Sequence, residues 1–299
     1  MSGWTPPSSD TPTPELFLPS GLMLGGASSV KALINIVGTS GVGKSHLGRQ
    51  LLLDPDYGPD EVLFLMHEDA TATYGPEAKH IKKATTFDSA IKVLEELALA
   101  SKAGRRLPKI LFYDSLTGGT DYFQADKEEN PNLVPKKIDG KLTGEMVRDK
   151  LSEYGDMGRA AQRCYLLLRD RINMDVIVLI TSYEDRTSPI PEIACEGRVI
   201  PKNITRWSSC TLYMKSEFGK DDPAAVAEFV KASGIAPHRT YGRGPAGELD
   251  GTFISRFFVT QNTGEITAKG HRNLNIKERA VLPDVLRKIH GVTKPQEGS

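Results

Sequence analysis

The chain has 299 residues, 39% of them hydrophobic and 25% charged, which suits one large α/β domain with a well-packed core rather than a disordered or low-complexity chain. Lysine plus arginine equal aspartate plus glutamate at 38 each, so a histone-like cationic coat is excluded while a local basic groove is not. No apolar run approaches the roughly 18 residues of a membrane helix. Cys164, Cys195 and Cys210 have neither metal-ligand spacing nor even pairing, so they read as buried reduced thiols of a cytoplasmic protein, with a catalytic cysteine the lesser alternative.

In chain order, Met1–Ser20 is rich in Pro, Ser and Thr, carries no signal-peptide pattern, and reads as a flexible arm before a domain spanning 21–275. Five nearly continuous apolar runs predict buried parallel strands: Ala32–Val37, Val62–Met66, Ile110–Tyr113, Val176–Ile180 and Cys210–Met214. A helix is expected from Lys44 to Leu53, stopped by Asp54-Pro55. Another is expected over Thr86–Ser101, with Ile91, Leu94, Leu97 and Ala98 on one face and Thr86 or Asp88 as cap. A long third helix is expected from Gly144 to Arg171, on the spacing of Val147, Leu151, Tyr154, Cys164 and Leu168. Strands alternating with helices specify a parallel sheet with helices on both faces.

Two stretches break that rhythm and read as insertions, one at about 118–143 with Pro131 and Pro135, the other at about 220–250 with a short helix and a Gly/Pro/Arg loop. An antiparallel hairpin is expected from Phe253–Thr260 and Glu265–Thr267 around Asn262-Thr263-Gly264. A final helix near Pro283 and a loose tail make up 276–299.

Gly38-Thr39-Ser40-Gly41-Val42-Gly43-Lys44-Ser45 matches the phosphate-loop pattern G-x-x-x-x-G-K-[ST] at every fixed position. Glycines let the backbone curl so that successive N–H groups face phosphate oxygens, and the helix entered through His46 aims its positive end at the same place. Lys44 would reach the β- and γ-phosphates, and the Ser45 hydroxyl would ligate Mg²⁺. A strand entering the loop and a helix leaving it supply the setting this chemistry needs.

Such a loop requires an acid at the end of another strand to hold Mg²⁺, and Lys109-Ile-Leu-Phe-Tyr-Asp114 ends in one. The following residue is Ser115, which cannot act as a base at neutral pH. The water-activating carboxylate must then come from elsewhere, and Glu68, after the second apolar run, is the candidate. Asp69 is the weaker rival, and His67 is expected to pack or bond nearby.

These residues resemble the RecA/KaiC/DnaB-like superfamily, in which a glutamate follows the second strand and serine follows the Mg²⁺ aspartate, as in Asp114-Ser115-Leu116-Thr117. More closely, the chain resembles compact RecA-core ATPases of bacteriophages, some of which act in single-strand annealing and recombination. The resemblance covers about 29–118, 176–215 and 256–272. It implies an α/β RecA-like P-loop NTPase fold with a C-terminal antiparallel hairpin, ATP as the nucleotide, and assembly into a homo-oligomeric ring or filament in a bacterial host's cytoplasm. It also implies a polar sensor after the fourth strand, with Thr181 and Ser182 as candidates, and trans-acting fingers at Lys269 and Arg272.

A GTPase base-recognition motif, an arginine-studded kinase lid and an ABC-type signature are all absent from the sequence. A DNA-transacting ATPase needs cations and aromatics on loops near the oligomer axis. Arg186, Arg198, Lys202, Arg206 and Trp207 are the candidates for contact with single-stranded DNA, diluted by Glu184, Glu192 and Glu196. The alternative is a nucleotide-controlled assembly or regulatory module that works through protein contacts, which the two insertions favour.

Overall fold

The computed structural model describes residues 31–69, 71–139, 141–184, 192–193, 199–220, 227, 241–243, 249–261 and 268–291. Its centre is a mixed α/β sheet whose six parallel strands run in the order β9 (Cys210–Lys220), β1 (Ala32–Gly38), β7 (Val176–Glu184), β4 (Ile110–Asp114), β2 (Val62–Met66) and β3 (His80–Lys83). All five strands expected from the sequence are present. Each lies in the interior, where a nearly continuous apolar run is covered on both faces. β3 was not legible, because His80-Ile-Lys-Lys is a polar edge strand that protects the sheet from further pairing.

Beyond β9 the sheet turns antiparallel. β11 (Leu249–Val259) pairs with β9 from Thr252↔Lys220 to Val259↔Tyr213, and also with β10 (Tyr241–Arg243) and β12 (Lys277–Arg279). β11 supplies the first arm of the expected hairpin. The second arm, and most of 220–250, lie outside the described residues.

Alternation along the strands splits the core into two layers. One face, with Leu33, Val37, Leu65, Tyr113 and Leu179, packs against α3 (Phe87–Lys102), α4 (Leu116–Glu129), α5 (Lys150–Leu166) and α6 (Val199–Trp207). The opposite face, with Ile34, Ile36, Phe64, Phe112 and Ile180, packs against α1 (His46–Leu52), α2 (Thr71–Tyr74) and α7 (Leu282–His290). Thr86 caps α3, accepting from Ser89 N while the Ser89 hydroxyl accepts from Thr86 N.

The structure corrects the reading of 118–171. The segment after β4 is helix at once: Ser115 caps α4, its hydroxyl accepting from Gly118 N. Gly118 and Gly119 weaken that helix in isolation, yet packing demands them. A Cβ on Gly119 would lie 2.8 Å from both His67 Nε2 and the Phe87 ring. Next comes a separate exposed hairpin, β5 (Leu133–Ile138) with β6 (Lys141–Arg148), pairing Val134 with Val147. α5 therefore begins at Lys150 behind an Asp149 cap, not at Gly144. Val147 belongs to the hairpin, Leu151 is 84% exposed, and the buried stripe is Met157, Ala161, Cys164 and Tyr165, continuing to Leu168 in a final π-helical turn.

Candidate active site

The phosphate loop leaves the C-terminal end of the central strand β1 and enters α1. Gly41 and Gly43 hold φ of 74° and 100°, a left-handed region that disfavours side chains. At Gly38 the limit is space, since a Cβ would lie 2.9 Å from Val42 Cγ1 and 3.0 Å from Met214 O. From the antiparallel side, Arg256 Nε donates to Val42 O at 2.9 Å, fixing a carbonyl of the loop. The Ser45 side chain makes no capping bond to α1, so its hydroxyl is not committed to that helix. His46 opens α1 and is exposed.

Lys44 is 8% exposed, and its Nζ donates to Gly38 O at 2.8 Å and Thr39 O at 2.9 Å. Burial pushes the Lys44 pKa down, while the negative charges of Asp114 and Glu68 act to raise it. The two acids picked out in the sequence thus lie within electrostatic reach of the same ammonium.

β2 is three strands from β1, with β7 and β4 between them, so Glu68 does not reach this region by strand adjacency. It reaches it by leaning over the end of β4. The Ser115 hydroxyl donates to Glu68 Oε1 at 3.2 Å, and a Cβ on Gly118 would lie 2.6 Å from that oxygen. Asp69 is exposed, bonds Thr71 N, and pairs with Lys83 at 3.5 Å, away from this contact. His67 is fully buried against Tyr113 OH at 2.6 Å, and burial lowers its pKa to about 4, leaving a neutral packed imidazole.

Asp114 is 6% exposed at the end of β4. Its Oδ2 accepts from Tyr74 OH at 2.6 Å. No sequence motif marks Tyr74, which sits on a four-residue helix; a lone aromatic there reads as core.

The remaining candidates are placed as follows. The Thr181 hydroxyl is fully buried and donates to Asn35 Oδ1 at 3.1 Å, inside the sheet layer. Ser182 sits beside α4, its backbone N–H donating to Thr117 Oγ1 at 2.9 Å. Lys269 Nζ binds Ser208 O at 2.6 Å and Arg206 O at 3.3 Å, so within this chain it holds the C-terminal end of α6. Arg272 is exposed. Trp207, a candidate for contact with single-stranded DNA, packs its ring 5.2 Å from that of Tyr165 and is partly buried. Arg186, Arg198, Cys195 and the side chain of Lys202 lie outside the described residues. Burial pushes both Cys164 and Cys210 thiols up to about 12, the behaviour of packing groups rather than nucleophiles.

The donor set suits a magnesium nucleotide. Ser45 and Asp114 offer hard oxygen donors, and the loop offers glycine-lined backbone amides and one ammonium. Among the described residues no three His, Cys, Asp or Glu side chains converge on a metal site. No helix among those residues is long and apolar enough to cross a membrane.

No family model matches the chain, and no curated protein matches it. Among solved structures it is similar to an ATPase from the type III secretion system of pathogenic bacteria, at 10% identity and a TM-score of 0.37. That likeness covers 63% of this chain and 53% of the other, so the chain spans about half the length of that structure.

Proposed function

We propose that this chain binds ATP with Mg²⁺ and hydrolyses it at the site formed by the phosphate loop, Asp114 and Glu68. The observation that supports the reading is a phosphate loop that matches at every fixed position, with the buried Lys44 ammonium within electrostatic reach of Asp114, at the end of β4, and of Glu68, beyond β2. In this reading the loop amides bind the β- and γ-phosphates, and Lys44 moves from its own loop carbonyls to the phosphate oxygens. Ser45 and Asp114 hold the cation, which when bound neutralises charge on the triphosphate. Glu68, steadied by the Ser115 hydroxyl, orients the attacking water and takes its proton. Ser182 is proposed as a polar sensor of the γ-phosphate or the catalytic water, and Lys269 and Arg272 as fingers that act on a neighbour's site in an assembled oligomer.

The partner acted upon is the finer question. Single-stranded DNA remains the first proposal, on the resemblance to RecA-core ATPases. A switch that works through protein contacts is favoured by one observation: the β5–β6 hairpin exposes Leu133 at 53%, Leu142 at 65% and Met146 at 54%. Phosphate release measured with and without Mg²⁺ tests the ATPase, and adding single-stranded DNA separates the two partners. Turnover that needs Mg²⁺ supports the core reading, and its absence under all conditions removes it. Acceleration by DNA favours the first partner, and indifference to every form of nucleic acid favours the second.

A further inference from the structure

Tyr74 lies where the phosphate loop's helix, the cation-holding strand and the segment carrying Glu68 come together. Its ring is fully buried, 4.2 Å from the ring of Phe64 and 6.1 Å from that of Phe112. It presses on α1 so closely that a Cβ on Gly48 would lie 2.9 Å from a ring carbon. Its hydroxyl donates to Asp114 Oδ2 at 2.6 Å, a short bond to a buried carboxylate.

We propose that Tyr74 is a positioning residue for Asp114, holding the carboxylate in one orientation toward the divalent cation of the bound nucleotide. The inference rests on the reading of this site as a magnesium-nucleotide site. A buried carboxylate at a strand end can rotate about its terminal torsion, and a single well-aligned donor removes that freedom. Partners of this kind, bonded to a metal ligand rather than to the metal, commonly govern metal affinity by 10- to 100-fold. Tyr74 ends the stretch that begins at Glu68, so its bond also ties the water-activating segment to the cation-holding strand.

The test is Tyr74→Phe in the full chain, which removes the hydroxyl and keeps the packed ring. Fluorescence of a ribose-labelled ATP, titrated with Mg²⁺, reads cation-dependent binding without any turnover. The expected result is a rise of about tenfold in half-saturating Mg²⁺, with unchanged labelled-ATP affinity in EDTA and a single cooperative urea transition that shows the variant is folded. A Mg²⁺ curve superimposed on wild type overturns the assignment. In an Asp114→Asn background, Tyr74→Phe should add nothing further; an additive shift shows that Tyr74 acts by another route and also overturns it. Asp114→Asn alone separates the two readings. If it shifts the Mg²⁺ curve while Tyr74→Phe does not, only the Tyr74 role fails; if it shifts nothing, the nucleotide-site reading fails with it.

Discussion

At the scale of single residues, the proposed site combines two buried charges, Lys44 and Asp114, with one carboxylate open to water. Glu68 is exposed but steadied, with one oxygen accepting from Ser115 and packed over Gly118. Glu68→Gln keeps the size and the hydrogen-bond acceptor but loses the base. Nucleotide binding should persist while phosphate release falls by about 10²- to 10⁴-fold. Turnover near wild type would move the role to another carboxylate, Asp69 first.

His67 gives a pH prediction. Its pKa falls from 6.5 to about 4 on folding, so as the pH drops the unfolded chain takes up the proton first. Stability is complete above the unfolded value near 6.5 and is lost as the pH falls toward 4. Between pH 7 and pH 5 this amounts to about 2 kcal/mol. Urea unfolding at the two pH values measures it, and His67→Gln should flatten the difference. His80 and His290 shift in the same direction and account for a residual slope.

At the scale of elements, the phosphate-loop helix is anchored from behind by the C-terminal helix. Gln50 on α1 donates to Ala280 O at 3.0 Å and accepts from Leu282 N at 2.8 Å. Arg287 on α7 binds Asp54 just after α1 at 2.6 Å, Asp56 at 2.7 Å and Asp284 at 2.9 Å. Arg287 and Asp54 are both nearly buried, with side chains 7% and 10% exposed. Arg287→Ala leaves Asp54 desolvated and unpaired, a loss of about 3 kcal/mol. Thermal or urea unfolding checks this, and a variant within 0.5 kcal/mol of wild type, about the range of ordinary surface changes, would show that the cluster contributes nothing net. The sequence indicates the helix near Pro283 but not this docking, because Asp54 and Arg287 are 233 positions apart and no local pattern joins them.

Other elements were illegible for equally physical reasons. α4 begins with Leu-Thr-Gly-Gly, a weak helix former that tertiary crowding from Glu68, His67 and Phe87 nonetheless selects. The β5–β6 hairpin is exposed along nearly its whole length and interrupted by Pro135 and Gly144, so no apolar–polar alternation announces it. Isolated two-stranded hairpins are marginal in water; here the base is held by Asn132, whose backbone N–H donates to Glu153 Oε1 at 2.8 Å and whose amide donates to Asp156 at 2.8 Å. The buried strands were legible because parallel pairing under two helical layers favours nearly continuous apolar runs.

At the scale of the whole molecule, the strand order places β1 second of the six parallel strands, between β9 and β7, so the phosphate loop emerges between neighbours on both sides. Crossovers over both faces bring Asp114 from β4 and Glu68 from beyond β2 to that same edge, although neither strand touches β1. The strand–loop–helix of the proposed phosphate site was legible because glycines at that spacing fix a curled backbone between β1 and α1. The groups that hold the candidate residues in place, Tyr74 on Asp114, Arg256 on Val42 O and Asn35 on Thr181, were not, since each depends on a contact that only the folded sheet creates. Binding of a ribose-labelled ATP in the presence of Mg²⁺, compared between the wild-type chain and Lys44→Ala, tests the central claim most directly. Saturable binding by the wild type, weakened at least about 100-fold when the buried ammonium is removed, is the predicted result; equal binding by the two proteins would contradict it.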